Sequence, residues 1–180
     1  AAIWNGKGID IRVIASANAG GHVILTREST GIKTVEDLKG KSMTTPNIGT
    51  VTDTILKSYI LPKYGMSESD MTLVPGVKAP DMVTMLVASE EVDAIMTWEP
   101  YATMAELTYD DIRVVFDVPK EWQQETGSET LYPVNVVSAD GAFCDKHPEE
   151  VKDFLKEIKK TVEYIQANPE EGVSLVSAAL

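Results

Sequence analysis

The spacing of apolar and polar positions changes period repeatedly along the chain, and each change marks an expected element. Residues 9–17 (IDIRVIASA) are rich in Ile and Val and predict a strand. Residues 22–28 (HVILTRE) predict a second strand after the Gly20-Gly21 break. Residues 34–40 (TVEDLKG) read as a short helix with Thr34 as N-cap, early acids and a closing glycine. A strand at KSMTTP then gives way to a helix over residues 50–64. There Val51, Ile55, Leu56 and Tyr59 share one face, and Pro62 disturbs the last turn. Further strands are expected at 71–76, 93–98, 112–118 and 134–140. Helices are expected at 79–92, with Met82, Met85 and Leu86 inward, and at 99–108, with Pro100 in the first turn. Residues 119–133 are polar and read as a loop. Residues 147–168 give the clearest helix, with an apolar stripe of Val151, Phe154, Leu155, Ile158, Val162 and Ile165. A last helix follows from Pro169. Strands alternating with helices predict an α/β fold with largely parallel sheets, in which ligands bind beyond the C-terminal ends of strands.

Composition narrows the function classes. Of 180 residues, 28 are acidic and 16 basic, a formal charge of −12 that repels nucleic acid and anionic lipid. An anionic small ligand is still admissible, because local donors outweigh a screened distant field. The single cysteine, Cys144, excludes an internal disulfide and a cysteine metal cluster, and reads as a buried small hydrophobe. His22 and His147 stand in no HxxxH or HExxH spacing, so neither a metal nor another cofactor is expected. No segment reads as a signal peptide or a membrane span, which leaves location open.

Three strand ends carry candidate chemistry. The turn Thr45–Thr52 follows a strand and opens a helix. Gly49 lets the backbone come close to a ligand, Thr50 and Thr52 add hydroxyls, and the helix start offers N–H groups. The alternative is plain capping by Thr50 or Asn47. Trp98-Glu99 stands at another strand-to-helix junction. There the indole stacks on a ligand or on the core, and the carboxylate accepts from a ligand or from the helix start. The small-residue turn ANAGGH is either a cleft wall or a connector. The GKS at 40–42 is not a phosphate loop, since the position five before Gly40 is Val35 and a strand follows. No serine lies in a GxSxG elbow, so no catalytic residue is assigned.

Taken in order, GIKTVEDLKGKSMTTPNIGTVTDTIL, MVTMLVASEEVDAIMTWEPYATMA and YPVNVVSADGAFCDKHPEEVKDFLKEIKKTVEYIQANPEE resemble the substrate-binding proteins of ABC importers. These are the proteins for nitrate, sulfonates, taurine, bicarbonate and the thiamine pyrimidine precursor. The segments DLKGK, VDAIMTWEP and HPEEV…YIQANPEE carry the resemblance, which covers nearly the whole chain.

The resemblance implies a two-lobed type II periplasmic-binding-protein fold. Residues 1–28 would form part of lobe 1 and 29–118 lobe 2. Residues 119–180 would form the hinge return and the rest of lobe 1. Family members are longer and begin with a further strand–helix unit, so this chain is expected to be a fragment with an incomplete, apolar-exposing first lobe. By resemblance, Gly20 and Gly21 line one wall of the cleft. Asn47, Gly49, Thr50 and Val51 hold the ligand's polar head, Trp98 and Glu99 flank it, and Tyr132 and Asn135 lie near the returning hinge. The implied function is capture of a small organic anion, sulfonate- or taurine-like, by hinge closure. The implied partner is a membrane permease, the implied state a monomer, with self-association of a fragment as a hazard. The implied location is the periplasm or the outer face of the cell membrane, by lipid anchor in some forms. An enzyme of the pyrimidine-precursor-synthase kind shares the fold but relies on a cysteine-rich motif that Cys144 alone does not supply. The effector-sensing domain of a transcription regulator is the third reading, and it requires a helix-turn-helix upstream.

Overall fold

The computed structural model describes residues 5–88 and 90–179. The chain divides into two compact units, a continuous one from Ala19 to Tyr132 and a smaller one from the chain up to Asn18 and from Pro133 onward.

The larger unit is built on a five-stranded sheet in the order β4-β3-β5-β2-β6. Its strands are β2 (His22–Arg27), β3 (Ser42–Thr44), β4 (Thr72–Val74), β5 (Ala94–Trp98) and β6 (Ile112–Asp117). β3 runs parallel to β4 and β5, whereas β2 is antiparallel to β5 and β6, with His22 opposite Trp98 and Val23 opposite both Thr97 and Asp117. The sheet is therefore mixed rather than largely parallel. Alternation of strands and helices predicts direction only for strands joined by a crossover, and β2 joins neither of its neighbours that way.

β2 is buried along its whole length, as an apolar strand covered on both faces must be. Val23, Leu25 and Ile95 point to one face, against Met82, Leu86, Ala102, Ala105 and Ile112. By alternation, Ile24, Met96 and Met43 point to the other, and all three are fully buried. Helix α1 begins with Val51–Ile55, widens into π-helical Leu56–Ile60 and ends in Leu61–Lys63. Pro62 has no N–H to donate, and the ladder widens in the turn before it. Helices α2 (Ala79–Val87) and α3 (Tyr101–Thr108) follow β4 and β5.

Two local expectations are corrected here. Residues 34–40 form only a 3-10 turn, Glu36–Leu38, and its cap is not Thr34. Instead the Asp37 carboxylate accepts the N–H groups of Lys33 and Thr34 at 2.9 and 3.0 Å. The segment expected as a loop after Val118 contains helix α4 (Val118–Thr126). Asp117 caps it by accepting the Lys120 N–H at 3.0 Å, and Gly127 closes it in the left-handed region. Its residues are mostly polar, so its composition reads as a loop although Val118 and Trp122 stand at helical spacing on its inner face.

The smaller unit pairs β1 (Ile11–Ala19) with β7 (Pro133–Asp140). It carries α5 (Gly141–Lys146), α6 (Pro148–Ala167) and α7 (Pro169–Ala179). Helix α6 is the expected long helix, and its stripe is only partly covered: Val151, Leu155 and Ile158 are half-buried, whereas Phe154 is 49%, Val162 47% and Ile165 42% exposed. Among the described residues, every buried apolar side chain of the core lies between Val23 and Tyr132. Cys144, between β7 and α6, is only partly buried. The units divide at Asn18/Ala19 and Tyr132/Pro133, the second within the segment 119–136 where the returning hinge is expected. β2 is hydrogen-bonded on both sides into the larger sheet, and α4 packs against it.

Candidate functional site

Strand direction gathers the candidate turns. Because β3, β4 and β5 are parallel, their C-terminal ends share one end of the sheet. The antiparallel registers bring the start of β2 and the end of β6 to the same end. The segments after Thr44, Val74 and Trp98 therefore stand side by side there.

The first of them is knitted by backbone bonds. Thr45 N–H donates to the Val74 carbonyl at 3.3 Å, and Val77 N–H to the Thr45 carbonyl at 3.4 Å. Asn47 Oδ1 lies 3.4 Å from where a side chain on Gly76 would begin. Gly49 sits at φ 81, a conformation glycine adopts without strain. Thr50 is the N-cap of α1, its hydroxyl accepting from Asp53 N–H at 3.4 Å. The Gly49 N–H, expected to face a ligand, donates instead to Asp53 Oδ2 at 2.8 Å. Asp53 is buried, and its other oxygen pairs with Lys57 Nζ at 2.8 Å, which in turn pairs with Glu68 at 2.8 Å. Hydrogen bonding to Asp53 and then to Glu68 raises the Lys57 ammonium above its usual value. Val51 is partly exposed, and Ile48 at the tip of the turn is 70% exposed.

At the second junction Glu99 N–H donates to the Gly21 carbonyl at 3.0 Å, and a Cβ on Gly21 would fall 3.7 Å from the Glu99 side chain. Glu99 Oε2 accepts the Thr103 N–H at 3.1 Å, so this carboxylate serves its own helix start. The Glu99–Pro100 peptide is cis. The Trp98 ring is half-buried and stands edge-on to Tyr101 with centroids 6.0 Å apart.

His22 links this junction to the chain's exit from the unit. It is buried, its ring lies 6.3 Å from that of Trp98, and its Nδ1 is 3.1 Å from the Tyr132 hydroxyl. Burial pushes the imidazole down to about 4 and the Tyr132 phenol up to about 12. Trp122 of α4 meets Tyr132 edge-on at 5.7 Å. Gly20 N–H donates to the Tyr132 carbonyl at 3.0 Å, and a Cβ on Gly20 would fall 2.6 Å from Leu131 Cδ1. No motif or spacing singles out His22. The one available signal was a histidine opening a strand that is otherwise apolar up to Thr26 and directly follows two glycines.

Gly20, Gly21, Trp98, Glu99 and Tyr132 thus form one connected group around His22. Asn47, Gly49, Thr50 and Val51 form a second at the neighbouring strand end. Asn135 belongs to the smaller unit, where its N–H donates to Asn18 Oδ1 at 2.9 Å. Among the described residues no group of His, Cys, Asp and Glu is arranged to hold a metal ion. Among the same residues no helix is long and apolar enough to cross a membrane.

The NMT1/THI5 like family model matches residues 3–172. No curated protein sequence matches the chain. Among solved structures, the periplasmic aliphatic sulphonate binding protein SsuA from Escherichia coli is similar at 20% identity and a TM-score of 0.79, over 97% of this chain and 56% of its own. The alkanesulfonate-binding protein SsuA from Xanthomonas axonopodis pv. citri, bound to MOPS, is similar at 17% identity and a TM-score of 0.71, over 94% and 55%. An ABC transporter protein from Parabacteroides distasonis is similar at 15% identity and a TM-score of 0.69, over 93% and 53%. The chain spans about half the length of these proteins. The likeness shows the α/β fold of two-lobed periplasmic binding proteins.

Proposed function

The chain belongs to the NMT1/THI5-like family, and on that premise we propose that it is part of the solute-binding subunit of an ABC importer. It takes a small organic solute and is not an enzyme. The observation that carries this reading is the convergence at one end of the larger sheet. The turn at Asn47–Val51, the Trp98-Glu99 junction and the paired segments at Gly20-Gly21 and Tyr132 all stand there. A half-buried indole beside small-residue turns offers an apolar face of the kind small-molecule sites use. Both chain connections to the smaller unit leave from this end, at Ala19 and Tyr132. Asn135 lies three residues beyond the second. In this reading the solute lies where the lobes close on it, and closure follows from tighter binding to the closed state. The permease partner, a periplasmic or outer-face location and a monomeric state go with the proposal. The sulfonates named for the two SsuA proteins, with taurine, are the first solutes to try.

Thermal unfolding of the chain against sulfonates, taurine, nitrate, bicarbonate and aminopyrimidines tests it. A solute at about 100 times its dissociation constant stabilises the fold by ~2.7 kcal/mol. A shift that Trp98→Ala abolishes supports the reading. Silence from every solute, here and in a longer protein containing this chain, overturns it.

A further inference from the structure

We propose that the outward face of helix α3 is a docking surface for a protein segment that carries lysine or arginine side chains around an apolar anchor. Residues 79–112 contain eight Asp and Glu and no Lys, Arg or His. All of these acids are exposed except Asp93, which is tied to Ser42. Among the described residues none of the exposed ones stands in an ion pair. In α3, Ala102 and Ala105 face the core, so the helix turns Met104 and Leu107 outward, 58% and 83% exposed. Tyr109 is exposed just beyond the last turn, and Glu106, Asp110 and Asp111 flank these apolar side chains along the chain. An apolar centre with a polar rim is the make-up of a protein interface, and here the rim has one sign.

Helix α6 shows what is missing here. It too exposes apolar side chains, but each of its four lysines pairs with an acid of the same helix. Neither α2 nor α3 contains a basic residue to do this. The cations at the borders are engaged or set at an end. Arg113 pairs with Glu28 and donates to the Asp110 and Ile112 carbonyls. Arg27 is buried and donates to the Leu86 carbonyl. Lys78 precedes the first turn of α2, and Lys33 shares a hollow with Glu28 and Arg113. The unmatched charge therefore suits a cationic partner, steered in by the field and fixed by the apolar anchor. A second copy of this chain is a poor fit. Face to face it sets acid against acid, and its α6 carries five acids against four lysines. Anionic lipid is repelled by the same charge. The surface does not depend on the solute reading, because α3 starts at the Trp98 end of the sheet and Tyr109 stands just before β6, at the other end.

The test is a titration of the whole 180-residue chain with a synthetic amphipathic Leu/Lys peptide, read at the backbone amides of residues 103–111 by two-dimensional 15N–1H NMR. A Leu/Glu peptide of equal length and vesicles of phosphatidylcholine with phosphatidylglycerol are the other arms. The Leu/Lys peptide is expected to shift these amides saturably and to leave those of α6 unmoved. Leu107→Ser, and separately the combination Glu106→Gln, Asp110→Asn and Asp111→Asn, are each expected to weaken that binding about tenfold. All four side chains are exposed, and spectral dispersion reports whether each variant is folded. Absence of saturable binding overturns the proposal. Equal shifts at α6 overturn it, since charge attraction alone is then at work, and so does binding that Leu107→Ser leaves undiminished. Shifts at residues 103–111 with the Leu/Glu peptide or the vesicles also overturn it, because the face then takes any apolar partner or a membrane. Failure of the solute-binding reading appears separately, as thermal silence toward every solute, and does not bear on these amide shifts.

Discussion

His22 Nδ1 and the Tyr132 hydroxyl meet at 3.1 Å inside the larger unit, and both groups are buried. The bond ties the first residue of β2 to the last residue of that unit, next to the indole of Trp98. It satisfies two polar groups that would otherwise be buried without partners. Tyr132→Phe leaves the ring packing and removes the hydroxyl. The expected loss is about 1–2 kcal/mol of unfolding free energy, read from urea midpoints at pH 7.5, with His22→Phe plus Tyr132→Phe recovering part of it.

The same histidine predicts a pH dependence. Its folded value is about 4, against 6.5 for the free imidazole. Between those values the unfolded chain binds a proton that the folded chain refuses, so stability rises with pH across this window. Above pH 6.5 the histidine contributes no pH dependence. Acidification from 6.5 toward 4 should cost about 3 kcal/mol at most, and His22→Gln should flatten that limb. Urea unfolding at half-unit pH steps checks it.

Asp93 fastens the start of β5 to the start of β3. Its Oδ2 accepts the N–H and the hydroxyl of Ser42 at 2.8 and 2.9 Å, and Ser42 Oγ accepts the Asp93 N–H at 3.1 Å. Burial alone would raise this carboxyl, but the Ser42 bonds outweigh it and hold the group below its usual value. Its contribution is present at neutral pH and is lost as pH falls below the usual carboxylate range. Asp93→Ala should cost about 1.5–3 kcal/mol at pH 7, and progressively less as pH falls below the usual carboxylate range.

The two units should differ sharply in their response to truncation of apolar side chains. Leu56 is fully buried in α1, whereas Phe154 of α6 is 49% exposed. Leu56→Ala should cost about 2–5 kcal/mol, and Phe154→Ala under about 1 kcal/mol, since little surface returns to water. Chemical denaturation of both variants decides this.

The larger unit should fold alone. It is continuous from Ala19 to Tyr132, its ends meet through the Gly20–Tyr132 hydrogen bond, and it holds the buried core of the described residues. A peptide of residues 19–132 is expected to give a dispersed NMR spectrum and a cooperative melt. A broad, non-cooperative melt would contradict it.

The sequence by itself determined the elements with a strong period or a sharp local signal. The apolar run of β2, the 147–168 helix and the Thr50 cap each depend on neighbours a few residues away, so composition and spacing reveal them. The α/β class and the family resemblance follow from the order of such pieces. Helix α4 was hidden because its outward polar face dominates its composition. Its signals were Asp117 before Pro119 and the closing Gly127, both legible only once a helix was suspected.

The tertiary structure alone decided strand direction, and with it the position of the candidate site. The antiparallel insertion of β2 put His22 beside Trp98 and Tyr132, residues separated by 76 and 110 positions. It decided, too, that the long helix of the smaller unit keeps part of its apolar stripe open. It also decided that the Gly49 N–H is met by the Asp53 carboxylate. Local propensity acts over a turn or two of chain. Pairing register is set by contacts between distant segments, and no window of sequence contains both partners; Gly49 and Asp53 do share a window, but residue types alone do not say which acceptor meets the N–H.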